Sequence, residues 1–434
     1  MPGTGAAERA RSARVTAPHT ARVLLCCEAG SGRGHVTTLA AVARALAPDY
    51  RSQAVLARLD HADVLAPRCD RVDPGLHLRR LKRAPVPRTL SAASWLQIRG
   101  FGDPDTLRAR FEWCCAALQA IRPALVVGDY APTMLMAART MGITCVATGA
   151  AFGLPPATLD HLPELLMPQD AAAHGTALPD DAPPVDEAAL CSTINHTLAP
   201  LGLPPLHRLA QVHDCTMALP RGVSLWDPYA AWRDRPLLLP LDRLPPLADG
   251  AQGTVFIYLS GADLREEAIR TALTRLPFAA CLVAPGLSAE AAAQLSANPL
   301  LTISPAPLPP DLIAAQSRAV LCAGQAGTLA LAVLAGLPVL ALPMQHEQLS
   351  NALRAAAQLS ACRVLPRTAR SPEAIIDTLA ALLARPASAK TAREDALRLR
   401  PAYAETAMES YRRLLRPLAG RAGNAPLPPP GDAG

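Results

Sequence analysis

The chain has 434 residues, which exceeds one ordinary hydrophobic core and predicts two domains. Its net charge is only +6 and 3% of its residues are aromatic, which argues against a nucleic-acid-binding protein. No apolar run reaches the ~18 residues of a membrane-spanning helix, and the N-terminus lacks the apolar segment of a signal peptide. The eleven cysteines show no metal-ligand spacing. We therefore expect a cytoplasmic protein without a metal site.

The N-terminal half alternates between short apolar runs and segments of helical periodicity. Residues 1–20 are small, basic and aperiodic, and we expect them to be disordered. The elements predicted after them are strands at 23–26 and 53–59, a helix at 36–46, a helix at 105–121, a strand at 124–127, a helix at 132–141 and a strand at 143–147. This β-α-β succession predicts a Rossmann-like α/β domain over residues 21–240, with a parallel sheet between helices.

A proline-rich connection at 235–250 leads into a second alternating block, expected to form another Rossmann-like domain at 250–400. Its predicted elements are strands at 254–259, 279–283, 319–322 and 338–342, and helices at 264–275, 329–335, 351–359, 372–384 and 391–415. Pro401 is expected to break the last helix. We expect a C-terminal helix at 401–418 to pack back on the first domain, and a disordered tail at 419–434.

The first glycine-rich motif, GSGRGH, extends from Gly30 to His35 and lies between a predicted strand and helix. In open α/β sheets, this is the edge where ligands bind. A dinucleotide fingerprint of the form G-x-G-x-x-G fails here, because its last position is His35. A histidine in the first helical turn is suited to general-base work, and the helix dipole favours its neutral form. The alternative is a histidine that only caps or packs against the turn.

The second glycine-rich motif, CAGQAGT, extends from Cys322 to Thr328 and also separates a predicted strand from a helix. A following strand that ends at Pro343 would deliver Glu347 and Gln348 to the same edge of the sheet. A carboxylate beside an amide is suited to hydrogen bonding a row of sugar hydroxyls. The alternative is a solvated loop in which Ser350 caps a helix.

Together the two motifs resemble the GT-B fold glycosyltransferase family, which includes UDP-sugar-dependent glucuronosyltransferases, bacterial macrolide glycosyltransferases and the lipid II N-acetylglucosaminyltransferase. Members of that family carry an H-x-G-x-G-T type loop, a G-x-P nine residues later and then [D/E]-Q-x-x-N-A. In this chain Gly327 and Gly336 are nine residues apart, Pro338 completes G-x-P, and EQLSNA extends from Glu347 to Ala352. The N-terminal Gly34-His35 is similar to the family's Gly-His at the start of its first long helix. The resemblance covers about residues 22–400.

The resemblance implies two Rossmann-like doubly wound domains that face each other across a cleft. It implies that His35 deprotonates an acceptor hydroxyl and that Asp129, at the end of the apolar run LVVGD, orients this base. A single displacement would invert the sugar without a metal or other cofactor. The implied partners are a UDP- or dTDP-sugar donor and a small-molecule or lipid-linked acceptor. The implied acceptor-side glycines are Gly32 and Gly34, and the implied donor-binding residues are Ser260, Gly261, Gly324, Gln325, Gly327, Thr328, Glu347, Gln348 and Asn351.

Two positions depart from the family pattern and keep other functions open. Ala323 stands where the family's diphosphate-binding histidine usually lies, and Leu331 stands where many members have a ribose-binding glutamate. These departures favour a non-catalytic GT-B protein that activates or scaffolds a partner transferase. A sugar-nucleotide epimerase would need a different acid/base set in the cleft. A nicotinamide oxidoreductase is disfavoured by the failed fingerprint.

A basic run, HLRRLKRAPVPR, occupies residues 77–88. Most such runs are solvated faces. The alternatives are a patch for an anionic acceptor, or peripheral contact with the inner face of a membrane.

Overall fold

The computed structural model describes residues 21–30, 32–82, 90–173, 175, 184–249 and 253–423. The disorder expected at 1–20 and for the last part of the tail, 424–434, concerns residues outside this set. Within these ranges, no helix is long and apolar enough to cross a membrane.

The N-terminal half forms a six-stranded parallel sheet with helices on both faces. Its strand order is β3-β2-β1-β5-β6-β8, and β4 pairs with β7 in a separate small sheet. The elements are β1 (Arg22–Cys27), α1 (Arg33–Leu46), β2 (Arg51–Leu56), β3 (Arg71–Pro74), β4 (Leu90–Ser91), α2 (Ala92–Leu96), α3 (Pro104–Ile121), β5 (Leu125–Asp129), α4 (Pro132–Thr140), β6 (Thr144–Ala150), β7 (Glu164–Leu166), α5 (Pro168–Ala173), α6 (Glu187–Leu198) and β8 (Met217–Arg221).

The C-terminal half repeats the arrangement, with strand order β11-β10-β9-β12-β13-β14 in a second parallel sheet of six strands. Its elements are β9 (Thr254–Tyr258), α7 (Glu267–Thr274), β10 (Ala280–Val283), α8 (Ala289–Leu295), β11 (Leu301–Ser304), α9 (Pro310–Gln316), β12 (Ser317–Cys322), α10 (Ala326–Ala335), β13 (Val339–Ala341), α11 (His346–Gln358), β14 (Cys362–Val364), α12 (Pro372–Ala384), α13 (Pro386–Leu399) and α14 (Ala407–Gly423). The prediction of two doubly wound α/β domains is confirmed.

Each sheet has a hydrophobic core on both faces, as the two-residue alternation of its central strand requires. In β1, Leu24 and Cys26 join the core beneath α3 and α4, whereas Val23 and Leu25 join the core shared with α1. Strand order reverses between β1 and β5 in one sheet and between β9 and β12 in the other. The loops that leave these strands therefore border the crevice where α/β sheets bind ligands.

The last helix, α14, packs against α1 of the N-terminal domain. Tyr411 is fully buried there, and its hydroxyl lies 2.6 Å from the Thr148 Oγ1 on β6. The Thr148 hydroxyl donates its proton to the Leu219 carbonyl, so Tyr411 is the donor in this pair. The helix continues to Gly423, beyond the expected limit at residue 418, because Leu415 and Ala419 still face the buried side of α1.

Candidate functional site

His35 and Asp129 meet at the crevice of the N-terminal sheet. His35 lies in the first turn of α1, which follows β1, and Asp129 is the last residue of β5, the strand next to β1. The Nδ1 of His35 is 3.1 Å from Asp129 Oδ1. The Asp129 side chain is 1% exposed, whereas that of His35 is 20% exposed. The two residues predicted as base and orienting acid are therefore hydrogen bonded, with the imidazole open to the cleft.

Two glycines make room for this pair. An ideal Cβ on Gly30 would lie 2.3 Å from the His35 Nε2, and one on Gly149 would lie 2.3 Å from Asp129 Oδ1. Both glycines also have positive φ, +101° and +120°, a backbone region that other residues rarely adopt. Neither was among the predicted site residues. Gly30 was visible as part of the GSGRGH motif, whereas nothing in the local sequence marks Gly149.

The other two glycines of the motif do not serve this purpose. Gly32 is the residue before the first turn of α1, and a Cβ on Gly34 would meet no atom of the described part of the chain within 4 Å. Both residues are exposed. The packing of the protein itself therefore does not require glycine at Gly34, and the expected role of both in admitting ligands stays a prediction.

Carboxylates determine the protonation state of His35. Burial lowers the pKa of the imidazole, but the charge and hydrogen bond of Asp129, together with the charge of Glu347, raise it to about 9. The helix dipole alone predicted a neutral imidazole. Asp129 and Glu347 act against the dipole and the desolvation, and their effect on the pKa of His35 is the larger. His35 is therefore an imidazolium in the resting site.

Glu347 belongs to the first turn of α11 in the other domain and is half-buried. Burial raises the pKa of its carboxyl, the nearby His35 lowers it, and Asp129 raises it again. These mutual effects place Glu347 across the cleft from the His35–Asp129 pair. The structure thus brings together one predicted donor-side residue and both predicted catalytic residues.

The loops at the crevice of the second sheet are closely packed. Gly324 has φ +85°, and a Cβ there would lie 2.7 Å from the backbone oxygen of Gln348. A Cβ on Gly261 would lie 2.0 Å from the backbone oxygen of Gly286. Gly327 and Thr328 lie in the first turn of α10, and a Cβ on Gly327 would meet nothing within 4 Å. Residue 327 therefore places no side chain over the amides at the start of α10.

Several predicted donor-binding side chains brace these loops. The Gln325 Oε1 accepts from the Ala323 amide at 3.1 Å, and the Gln348 Oε1 accepts from the Met344 amide at 2.8 Å. The amide of Ser260 donates to Asp263 at 2.7 Å. Asn351 is 2% exposed, with its Nδ2 3.5 Å from the Gly324 oxygen. Contact of these residues with a donor stays a prediction.

The two positions that depart from the family pattern are buried. Ala323 is 0% exposed, and Leu331 is 6% exposed within a core cluster beside β12. Leu331 therefore contributes packing, and any contact with a ribose must come from another residue.

A pocket of about 830 Å³, which is open to solvent, adjoins the His35–Asp129 pair in the N-terminal domain. Its wall is mostly aliphatic and aromatic, and it includes Tyr130, whose ring meets the His35 ring edge-on with 5.3 Å between centroids. His346 of α11 reaches it from the other domain. The lining residues are Leu90, Ser91, Ala92, Ser94, Trp95, Ile98, Gly128, Tyr130, Ala131, Pro132, Leu135, Ala147, Phe152, Gly153, Leu154, Leu165, His213 and His346.

His213, in the wall of this pocket, was missed by the sequence reasoning. It is 9% exposed, and its buried Nε2 has no hydrogen-bond partner among the residues that the structure describes. Burial, reinforced by the charge of Arg139, lowers its pKa to about 4. The imidazole is therefore neutral at physiological pH. Gly30 and His35 line part of a second, smaller pocket of about 300 Å³.

No protein-family model and no curated protein matches the chain, but solved structures do. CalG4, the calicheamicin glycosyltransferase, is 18% identical with a TM-score of 0.64, over 94% of this chain and 100% of that one. VinC, solved with dTDP, is 18% identical with a TM-score of 0.62, over 92% and 100%. The spinosyn rhamnosyltransferase SpnG, solved with spinosyn aglycone, is 15% identical with a TM-score of 0.53, over 90% and 99%. These similarities show that the chain has the GT-B fold, as predicted.

Proposed function

We propose that the protein is a glycosyltransferase that moves a sugar from a nucleotide diphosphate to an acceptor hydroxyl. The observation that carries this proposal is the His35–Asp129 hydrogen bond at the crevice of a GT-B fold, with Glu347 facing it from the other domain. The fold neighbours CalG4, VinC and SpnG are themselves named glycosyltransferases, which supports the same reaction class here.

The chemistry follows from the positions of the groups. The acceptor oxygen attacks the anomeric carbon of the donor, the bond from that carbon to the diphosphate oxygen breaks, and the acceptor proton passes to the His35 Nε2. Attack opposite the leaving group inverts the anomeric centre. Asp129 accepts a hydrogen bond from Nδ1 and stabilises the imidazolium that forms. The amides at the start of α10 stabilise the departing diphosphate without a metal.

The protonation state of His35 adds a condition to this mechanism. With a pKa of about 9, the imidazole must lose its proton before it can act as a base. Occupation of the cleft by a donor would change the interaction between Glu347 and His35. We therefore expect the His35 imidazole to become able to accept a proton once the donor binds beside Glu347.

The donor is proposed to be a UDP- or dTDP-sugar, held by the loops at Gly324 and Gly261. VinC was solved with dTDP, which favours the thymidine nucleotide. The mostly apolar pocket beside Tyr130 favours an acceptor with an apolar body. SpnG was solved with an aglycone, in keeping with a small-molecule rather than a lipid-linked acceptor.

A second candidate is a non-catalytic GT-B protein that assists a partner transferase. It is favoured by the burial of Ala323 and Leu331 at positions where the family pattern has nucleotide ligands. The hydrogen-bonded His35–Asp129 pair favours the enzyme, because a scaffold has no need of it.

The test is a calorimetric titration with UDP, dTDP and their sugars, followed by mass spectrometry of mixtures with apolar alcohols. The enzyme proposal predicts that one donor binds and that a glycosylated product accumulates. Absence of any nucleotide binding would overturn it and favour the non-catalytic candidate.

A further inference from the structure

Six basic side chains gather outside the large pocket: Arg58, His77, Arg79, Arg80, Arg99 and Arg110, here called the basic rim. Burial lowers the pKa of His77, and the charges of Arg79, Arg99, Arg58 and Arg110 lower it further. Arg110 and Arg80 likewise lower the pKa of Arg99 beyond the effect of its burial. These mutual effects show that residues from four separate segments place like charges within one region.

The rim has little compensating negative charge. Among the described residues, no carboxylate lies within ion-pair distance of Arg79, Arg80, Arg99 or Arg110, and only Arg58 is paired, with Asp60. Burial lowers the pKa of Arg110 and the charges of Glu28 and Asp103 raise it, but both carboxylates lie beyond ion-pair distance. Arg99 and Arg110 are half-buried and donate to backbone carbonyls, those of Leu78 and Arg99. Holding unpaired cations close together costs free energy unless an anion binds to them.

The rim adjoins the pocket through α2 and the segment that follows it. Trp95 and Ile98 line the pocket. The Arg99 guanidinium lies over the Trp95 ring, 4.9 Å from its centroid, and its charge also acts on Tyr130. The amide of Leu81 donates to the Ile98 carbonyl at 2.9 Å, which ties the basic run to the pocket wall. Positive charge thus stands beside an aromatic wall of the apolar cavity.

We propose that the acceptor of this enzyme carries an anionic group of the carboxylate, sulfonate or phosphate class, which the basic rim binds while the apolar body fills the pocket. The proposal rests on the function proposed above, because only a transferase has an acceptor. Guanidinium groups suit such anions because their planar donors match the oxygens of the anion in pairs.

The geometry favours a soluble anion over a membrane surface. A membrane requires basic side chains on an exposed face, where headgroups can reach all of them. Here Arg99 and Arg110 are half-buried and immobilised by carbonyl contacts beside the cavity. An anion carried by a molecule in the pocket would need to extend only past Trp95, which lines the pocket, to meet the Arg99 guanidinium that lies over that ring.

The test compares two fluorescent probes with the same rings, of which only one is charged. These are 8-anilino-1-naphthalenesulfonate, called ANS, and its neutral analogue N-phenyl-1-naphthylamine. The double variant R79Q/R80Q should weaken ANS binding by about tenfold, whereas the neutral probe should change by less than about twofold. R99Q should lower ANS affinity more than that of the neutral probe, and R398Q, on α13, is the control with no effect on either.

Competition shows whether the probes share the pocket, since ANS should displace the neutral probe. The proposal would be overturned if the rim variants lost affinity for both probes equally. It would also be overturned if their affinity for ANS equalled that of the unsubstituted protein. A third contrary result is that the unsubstituted protein sediments with phosphatidylglycerol vesicles while the rim variants do not, with equal ANS binding in all of them. That result would overturn the proposal in favour of a membrane role. The assay needs no donor, and H35A should retain the ANS preference. Failed sugar transfer would therefore count against the proposed function alone.

Discussion

The Gly30 backbone and the His35 imidazole occupy adjoining space, so that a β-carbon on Gly30 would lie 2.3 Å from Nε2. The short loop between β1 and α1 therefore admits the imidazole only because residue 30 has no side chain. The hydrogen bond of His35 to Asp129 depends on this arrangement.

Substitution of Gly30 tests that relationship directly. G30A should displace the ring from Asp129 and lower kcat by about a hundredfold or more, the range expected when a general base is lost. It should also reduce stability by about 1–2 kcal/mol, because the residue has φ +101°. G142A is the matched control, since Gly142 also has a positive φ, +67°, but a Cβ there would meet no atom of the described residues within 4 Å, so kcat should stay nearly unchanged. Similar kcat values for the two variants would contradict this role of Gly30.

The pH dependence of kcat/KM should report the raised pKa of His35. We expect the rate to increase with pH toward a midpoint near 9, because deprotonation of the free enzyme makes the base competent. E347Q removes one of the charges that raise this pKa, so its midpoint should shift to lower pH. E290Q, in the first turn of α8, is the matched control. A midpoint that stays unchanged in E347Q would show that Glu347 does not act on His35.

Acid stability should depend on His213. Its pKa is about 4 in the folded protein and about 6.5 in the unfolded chain, so the unfolded state takes up a proton first as the pH falls. This destabilises the fold between those values, by about 2 kcal/mol at pH 5 relative to pH 7.5. H213L and H213Q cannot take up this proton and should both lose that part of the pH dependence in urea unfolding. An unchanged slope in both variants would contradict the assigned pKa.

The hypothesis of a His35–Asp129 pair came from the resemblance of Gly34-His35 and LVVGD to the family pattern, and the strand order explains why the two residues meet. A strand that ends in an acid and a helix that begins with Gly-His meet wherever the two strands are neighbours at the reversal of strand order. The apolar alternation sufficed to establish those strands. The roles of Gly30 and Gly149 could not be predicted, because they depend on the sign of φ and on close approach across the fold.

Other parts of the site could not be predicted, for reasons that differ from residue to residue. The raised pKa of His35 depends on Asp129 and also on Glu347, about 300 residues away in the chain, and only the contribution of Glu347 was absent from the sequence-based hypothesis. The Gln348 and Gln325 side chains accept from nearby backbone amides, an outcome that depends on how each loop turns. His213 escaped notice because neither its neighbours nor its spacing distinguish it from an ordinary core histidine.

The most direct test of the central claim is single-turnover sugar transfer by H35A, measured beside calorimetric binding of the nucleotide. The account predicts that transfer falls by about 10²–10⁴-fold, while the dissociation constant of the nucleotide stays within about twofold of the unsubstituted protein, because His35 acts on the acceptor hydroxyl. Transfer at an undiminished rate in H35A would contradict the assignment of His35 as the base.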